Sequence, residues 1–263
     1  MRNNIKNKKI IESVDKIIAE RGSEIGKLRN KNAVVLLTGG IDSSVLTDMY
    51  LSWSMSGKIY PIYIKRGAKA EKFELGSVKK VVKYFAQKYP NRIEKLVTVE
   101  AQIPPKVFKN KMNKNKVIFG GYRVRNAVLI NYAVMYALML NDNKVNVHNI
   151  LIGKVASDFF TGSRKEDLKV IMLQVCLNTE DWFWNITSLA FEPEFFKAFG
   201  FNKDVSKTDL IKYAFRQNFP IGLTRTCTAN FPKPCGLCEE CKERLSIFTT
   251  LRKSDPVEYF ELT

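Results

Sequence analysis

Histidine is nearly absent from this chain. The one present in 263 residues, His148, stands far in sequence from Cys176, the only cysteine outside a C-terminal cluster. A glutamine-hydrolysing amidotransferase needs a Cys–His pair, so that class is excluded and any ammonia used must come from solution or a partner. No apolar run reaches membrane-spanning length, and the polar start MRNNIKNKKIIESVDKIIAERG has no signal-peptide core. Both absences predict a cytoplasmic chain without a membrane partner. Five cysteines in such a chain argue for reduced thiols and metal binding, not a disulfide frame. Acid is scarce too, with 26 Asp and Glu against 43 Lys and Arg, a formal charge of +17. A surplus of that size fits a polyanion partner such as tRNA, and equally a general bias toward Lys along the whole chain. No internal repeat or low-complexity tract is visible.

What is there is organised around Ala33 to Ser44, AVVLLTGGIDSS. Five apolar residues with β-branched Val34 and Val35 read as a buried strand, and a helical pattern follows the glycines. Gly39 and Gly40 lack the Cβ atoms that block close backbone approach, so consecutive N–H groups can face an anion at the positive end of a helix. Thr38, Ser43 and Ser44 add hydroxyls, and Ile41 and Asp42 complete the loop. A Walker loop would need a Lys after its last Gly, and a dinucleotide fingerprint would need GxGxxG; neither is present.

Before the loop, Ile10, Val14, Ile17 and Ile18 share one face of a predicted N-terminal helix, which Gly22 and Gly26 end. After it, a helix at Val45 to Trp53, a strand at Lys58 to Ile64, a helix at Glu71 to Tyr89 and a strand at Arg92 to Val99 give the doubly wound parallel pattern. Pro61 suggests a bulge or an edge in the second strand. Gln102 to Lys116, with two prolines, five lysines and no acid, reads as a loop, either a solvated linker or a lid. Val128 to Leu140 is apolar nearly all round and predicts a buried helix. Asn149 to Gly153 is a fourth strand, with Lys154 to Asp158 at its ligand-side end. A helix at Lys165 to Leu177, an aromatic-rich stretch at Glu180 to Phe201 and a capped helix at Ser206 to Phe215 follow. The boundaries expected are an N-terminal extension at 1–32, a nucleotide-binding domain at 33–222 and a metal module at 223–263.

Cys227, Cys235, Cys238 and Cys241 are spaced C-x7-C-x2-C-x2-C. Four thiolates so close suit a tetrahedral Zn²⁺ with every position filled, a structural site. An iron–sulfur cluster is the alternative.

TGGIDSS resembles the SGGxDS loop of the ATP pyrophosphatases, with Thr for the first Ser. GLTRTCTANFPKPCGLCEECKERL resembles the C-terminal zinc module of the 7-cyano-7-deazaguanine synthase (QueC) family, which combines it with that loop. Arg125 and Asn126 match the family's Gly-Arg-Asn, with Val124 in place of the Gly. Gly153 and Asp158 match its G-x4-D, and Lys207, Asp209 and Leu210 to Ile211 its Lys-x-acid-Ile segment. The resemblance implies an adenine nucleotide alpha hydrolase-like α/β fold and a C–N ligase that uses ATP and Mg²⁺ beside Zn²⁺. The reaction implied is adenylation of 7-carboxy-7-deazaguanine and attack by ammonia, in the queuosine pathway. It also implies a homodimer. By that resemblance Thr38 to Ser44 hold pyrophosphate, with Asp42 and Ser43 in the chemistry. Arg125 and Lys207 neutralise phosphate or carboxylate charge, and Asp158 holds Mg²⁺ or substrate. Two segments depart from the family pattern: Lys65, Arg66 and Gly67 replace Tyr-Gly-Gln, and Phe159 to Asp167 replaces Tyr-Pro-Asp-Cys-Arg. That difference leaves open a QueC-like enzyme of bacterial antiviral defence joining the acid to a protein amine. A tRNA-modifying pyrophosphatase and a non-catalytic nucleotide-binding subunit stay open as well.

Overall fold

The first strand, β1 (Ala33–Leu36), is short, apolar and fully buried, because both faces of a parallel sheet are covered by helices. The computed structural model describes residues 2–21, 28–109, 111, 124–157 and 164–260. β2 (Ile59–Lys65), β3 (Val97–Glu100), β4 (Asn149–Ile152) and β5 (Asn185–Thr187) join β1 in one parallel sheet of order β3-β2-β1-β4-β5. The order reverses between β1 and β4, which pair in register Ala33↔Asn149 to Leu36↔Ile152. That reversal opens a crevice beyond the carboxyl ends of the two strands, where ligands bind in open α/β sheets.

Right-handed crossovers place α2 (Ile41–Trp53) and α3 (Glu71–Lys88) on one face, and α5 (Arg125–Asp142) and α6 (Lys165–Thr179) on the other. The short α4 (Lys106–Lys109) follows β3, and α1 (Arg2–Arg21) packs on α6. After β5 come α7 (Pro193–Ala198), α8 (Lys207–Arg216) and α9 (Glu239–Thr250). Ser206 caps α8, with Asp209 returning the bond to the Ser206 N–H. Among the described residues no helix is long and apolar enough to cross a membrane.

Four expectations are corrected. Pro61 lies in an interior strand without a bulge, opposite Val35. The β2 residues that alternate with it, such as Ile59, send their N–H toward the β3 side, where an isolated bridge at Ile59↔Ile93 precedes a ladder that begins only at Ile62↔Val97. The missing proline donor falls in that gap. Helix α5 is not buried all round: Ile130, Ala133, Val134 and Ala137 face the sheet, while Met135, Leu138 and Met139 are exposed. Among the described side chains of α1, Val14 and Ile18 are the buried ones, and Ile10 and Ile17 stay in solvent. The third strand is shorter and later than expected: Glu94 N–H closes the isolated bridge on the Ile59 carbonyl at 2.9 Å, and residues 95 and 96 lead from it to the ladder. Gly22, Gly26, Asp158, Phe159 to Ser163, and residues 110 and 112–116 of the lysine-rich loop lie outside the described residues.

His148 precedes β4 at the opposite end of the sheet from the crevice. Its Nε2 stands 2.8 Å from Asp181 and its Nδ1 2.9 Å from Asn146, and its ring meets Trp184 edge-on. Cys176 is wholly buried in the core.

Candidate active site

Between β1, α2 and β4 a cavity of ≈ 300 Å³ opens at the crevice. Its floor is Thr38, Gly40, Ile41 and Asp42. Arg125, Asn126, Gly153, Lys154 and Lys207 line the sides, with Arg66 and Glu74 at one end and Arg225 and Glu240 at another. The loop residues enter because α2 begins at Ile41, earlier than the sequence suggests, so Asp42, Ser43 and Ser44 belong to its first turn. Gly40 is the N-cap in an extended conformation and offers no side-chain cap. The positive end of a 13-residue helix therefore faces the cavity.

The loop hydroxyls divide. Thr38 lines the cavity. Ser43 is buried, its Oγ accepting from the Thr38 N–H at 3.2 Å and lying 3.0 Å from Thr38 Oγ1, so it sets the loop's shape from behind. Ser44 is completely buried, and its Oγ has no hydrogen-bond partner among the described residues. The Ser44 hydroxyl therefore faces the core and not the cavity. Gly39 (φ 74°) faces α3, where a Cβ would come within 2.9 Å of Glu74 O and 3.1 Å of Val78 N. Gly153 is required for a different contact: a Cβ there would stand 2.4 Å from Ser43 N, so strand and helix touch backbone to backbone.

The charges of the cavity are mostly cationic. Lys207 Nζ is 3.7 Å from Asp42 Oδ2 and 2.5 Å from Glu243 Oε2. No ion pair or hydrogen bond engages the Arg125 guanidinium among the described residues. Burial, and after it the neighbouring Arg66, pull its pKa below the ordinary arginine value. A cation held at such a cost is suited to an incoming anion. Arg66 is already committed, with Nη1 2.8 Å and Nη2 3.0 Å from the Glu74 carboxylate, which also accepts from Tyr63 OH at 3.1 Å. Burial first and Glu74 second push the Tyr63 phenol well above its usual range. Arg66 was visible only as a departure from the family pattern, and Glu74 carried no signal in the sequence.

Beside this cavity the four cysteine sulfurs lie within 4.8 Å of one another, Cys227 and Cys235 at 3.6 Å. A tetrahedral Zn²⁺ with sulfurs at about 2.3 Å needs them roughly 3.8 Å apart, so one ion fits, whereas an iron–sulfur cluster has to hold its ligands wider. Backbone N–H groups of Ala229 and Cys235 point at Cys227 Sγ, and those of Leu237 and Cys238 at Cys235 Sγ, at 3.3–3.4 Å. Burial pushes the Cys235 thiol up, but its bonds from the Leu237 and Cys238 N–H groups and with the Cys227 and Cys238 thiols outweigh it and bring it to about 7, while burial raises Cys227 and Cys241. The cluster can hold zinc.

The queuosine biosynthesis protein QueC family model matches residues 32–252, from just before β1 to just after α9. The chain belongs to the QueC family. A 7-cyano-7-deazaguanine synthase of Acetivibrio thermocellus is 30% identical over 243 residues, covering 89% of this chain and 100% of that relative. One from Prochlorococcus marinus is 25% identical, covering 84% and 95%. Among solved structures, the U34-tRNA thiolase NcsA from Methanococcus maripaludis with its 4Fe–4S cluster has a TM-score of 0.38 at 15% identity, covering 92% of this chain and 75% of that one. NMN synthetase from Francisella tularensis gives 0.36 at 10%, covering 97% and 99%. At those scores neither structure carries an argument about this QueC-family chain.

Proposed function

We propose that this QueC-family chain is an ATP-dependent C–N ligase that makes 7-cyano-7-deazaguanine. ATP adenylates the carboxylate of 7-carboxy-7-deazaguanine with release of pyrophosphate. Ammonia displaces AMP to give the amide, and a second ATP drives dehydration to the nitrile. The observation that carries the reading is one cavity in which an uncapped helix start, Thr38, Gly40 and Asp42 meet Lys207 and the uncommitted guanidinium of Arg125.

Little acid–base machinery is needed. The rate comes from holding carboxylate and α-phosphorus in line and from meeting the charge that shifts toward pyrophosphate. The N–H groups at Gly40 and the first turn of α2 receive the pyrophosphate, Lys207 neutralises it, and Asp42 holds Lys207 in reach. Arg125 takes the substrate carboxylate or the α-phosphate. Mg²⁺, when bound, shares the phosphate charge; Asp158, outside the described residues, is the candidate ligand. Zn²⁺ in the four-cysteine site is structural.

The Arg66–Glu74 pair in the cavity wall favours a second reading of the later step. Its Arg66 lies in the Lys65 to Gly67 segment, where the family resemblance implies Tyr-Gly-Gln, and in that reading the acceptor of the activated acid is a protein amine. The test is mass spectrometry of products from 7-carboxy-7-deazaguanine, ATP, Mg²⁺ and ammonium. The nitrile with AMP and pyrophosphate is expected. An activated acid that passes to a protein amine and not to ammonium supports the second reading, and absence of AMP overturns both.

A further inference from the structure

Arg225 was not among the candidate site residues, yet it joins three parts of the molecule. Its backbone N–H donates to the carbonyl of Gly39 at 2.7 Å. Its side chain, only 7% exposed, turns toward the metal module. Nη1 donates to Pro232 O at 3.1 Å, and Nη2 to Ala229 O at 2.9 Å and Phe231 O at 2.8 Å. All three carbonyls lie in the stretch between Cys227 and Cys235. The face of the guanidinium rests on Phe73 of α3, 4.9 Å from the ring centroid. Gly39 leans on the next turn of the same helix. Nε is buried with no acceptor.

We propose that Arg225 is a positioning residue that couples the metal module to the phosphate loop. The planar fork gathers three carbonyls whose directions a single ammonium cannot match, and so fixes the Cys227–Cys235 stretch. The same residue's backbone fixes Gly39. Metal binding then sets the position of Arg225, and Arg225 sets the loop. The metal thus supports nucleotide binding from outside the cavity, without touching the nucleotide. The proposal rests on the ATP reading for its kinetic consequence, but not for its structural one.

The test uses the full chain with zinc bound, and compares wild type with Arg225→Lys and Arg225→Met. Hydrogen exchange of the peptide spanning Thr38 to Ser44 should quicken about tenfold in both variants while zinc per chain, measured by elemental analysis, stays at one. Chelating zinc from wild type should quicken the same peptide, and chelating it from Arg225→Lys should add little, because the two act through one link. With ATP as substrate, KM should rise about tenfold with kcat changed far less, and Lys should not rescue it. Unaltered loop exchange in zinc-replete Arg225→Lys overturns the proposal, as does wild-type loop exchange indifferent to chelation. If wild type shows no ATP-dependent protection of the loop, the ATP reading fails, while the exchange comparison still decides the coupling. Circular dichroism separates either result from a variant that has not folded.

Discussion

Asp42 and Asp48 both sit on α2, and their surroundings are opposite. Asp48 is wholly buried. Lys88 Nζ donates to both its oxygens at 2.9 and 3.1 Å, Tyr89 OH approaches at 3.1 Å and Tyr213 OH at 3.2 Å. Asp42 is half-buried at the cavity, with its cation Lys207 at 3.7 Å, beyond hydrogen-bond reach. A carboxylate surrounded by donors ties α2 to α3 and α8; one that faces a lysine across 3.7 Å at the cavity stands where a ligand can meet it. The difference teaches that burial and charge do not by themselves mark chemistry. What distinguishes the two is whether the group faces the cavity or is ringed by donors from neighbouring helices.

Breaking the two ends should break different properties. Asp42→Ala should lower AMP formation by at least about a hundredfold while leaving the circular dichroism and zinc content unchanged; wild-type AMP release would remove Asp42 from the mechanism. Asp48→Ala strands Lys88 and two phenols, and should cost about 3–5 kcal/mol in urea unfolding. AMP formation per folded molecule should persist, and its loss would show that the comparison is wrong. Third in size, Cys238→Ser should lower the melting temperature and the zinc content together, with iron and sulfide in elemental analysis as the contrary result.

The Asp48 cluster also sharpens the comparison by pH. Burial first, and Asp48 second, raise the Tyr89 and Tyr213 phenols above their ordinary 10.0. Burial opposes the Lys88 ammonium, but its bond and attraction to Asp48 outweigh it and raise it above 10.5. Groups whose pKa is higher folded than unfolded contribute stability that is complete below the unfolded value and is lost as pH rises through the folded one. Stability to urea should hold up to about pH 10 and fall above it, and Asp48→Ala should flatten that fall. The smallest effect concerns Ser44. Removing a buried hydroxyl without an acceptor in Ser44→Ala should change stability by less than about 1 kcal/mol and leave AMP formation intact. A large loss of AMP would return Ser44 to the phosphate cup.

Much of this was legible in the sequence, for local reasons. The phosphate loop and the cysteines are contiguous or nearly so, and the chemistry of each dictates its spacing. The alternating strands and helices gave the parallel sheet because their periodicities are strong. Strand β5, three residues inside an aromatic-rich stretch, had too short a pattern to register. Ser44 could not be told from Ser43 because only the pitch of α2 decides which hydroxyl turns inward. The Arg66–Glu74 pair and Arg225 depend on contacts between separate elements, which no spacing along the chain records.

The pinning of His148 far from the crevice has a consequence for how the reaction will respond to acidity. Histidine is the only side chain whose ordinary pKa falls between pH 5 and 8, and none lies elsewhere in the chain. No imidazole is present at the cavity to shuttle a proton in the proposed attack by ammonia. On the proposed reading, a rate that climbs steadily with pH across that range would report the nucleophile itself, the small share of ammonium that has shed its proton, and raising total ammonium at fixed pH should do what raising the pH does.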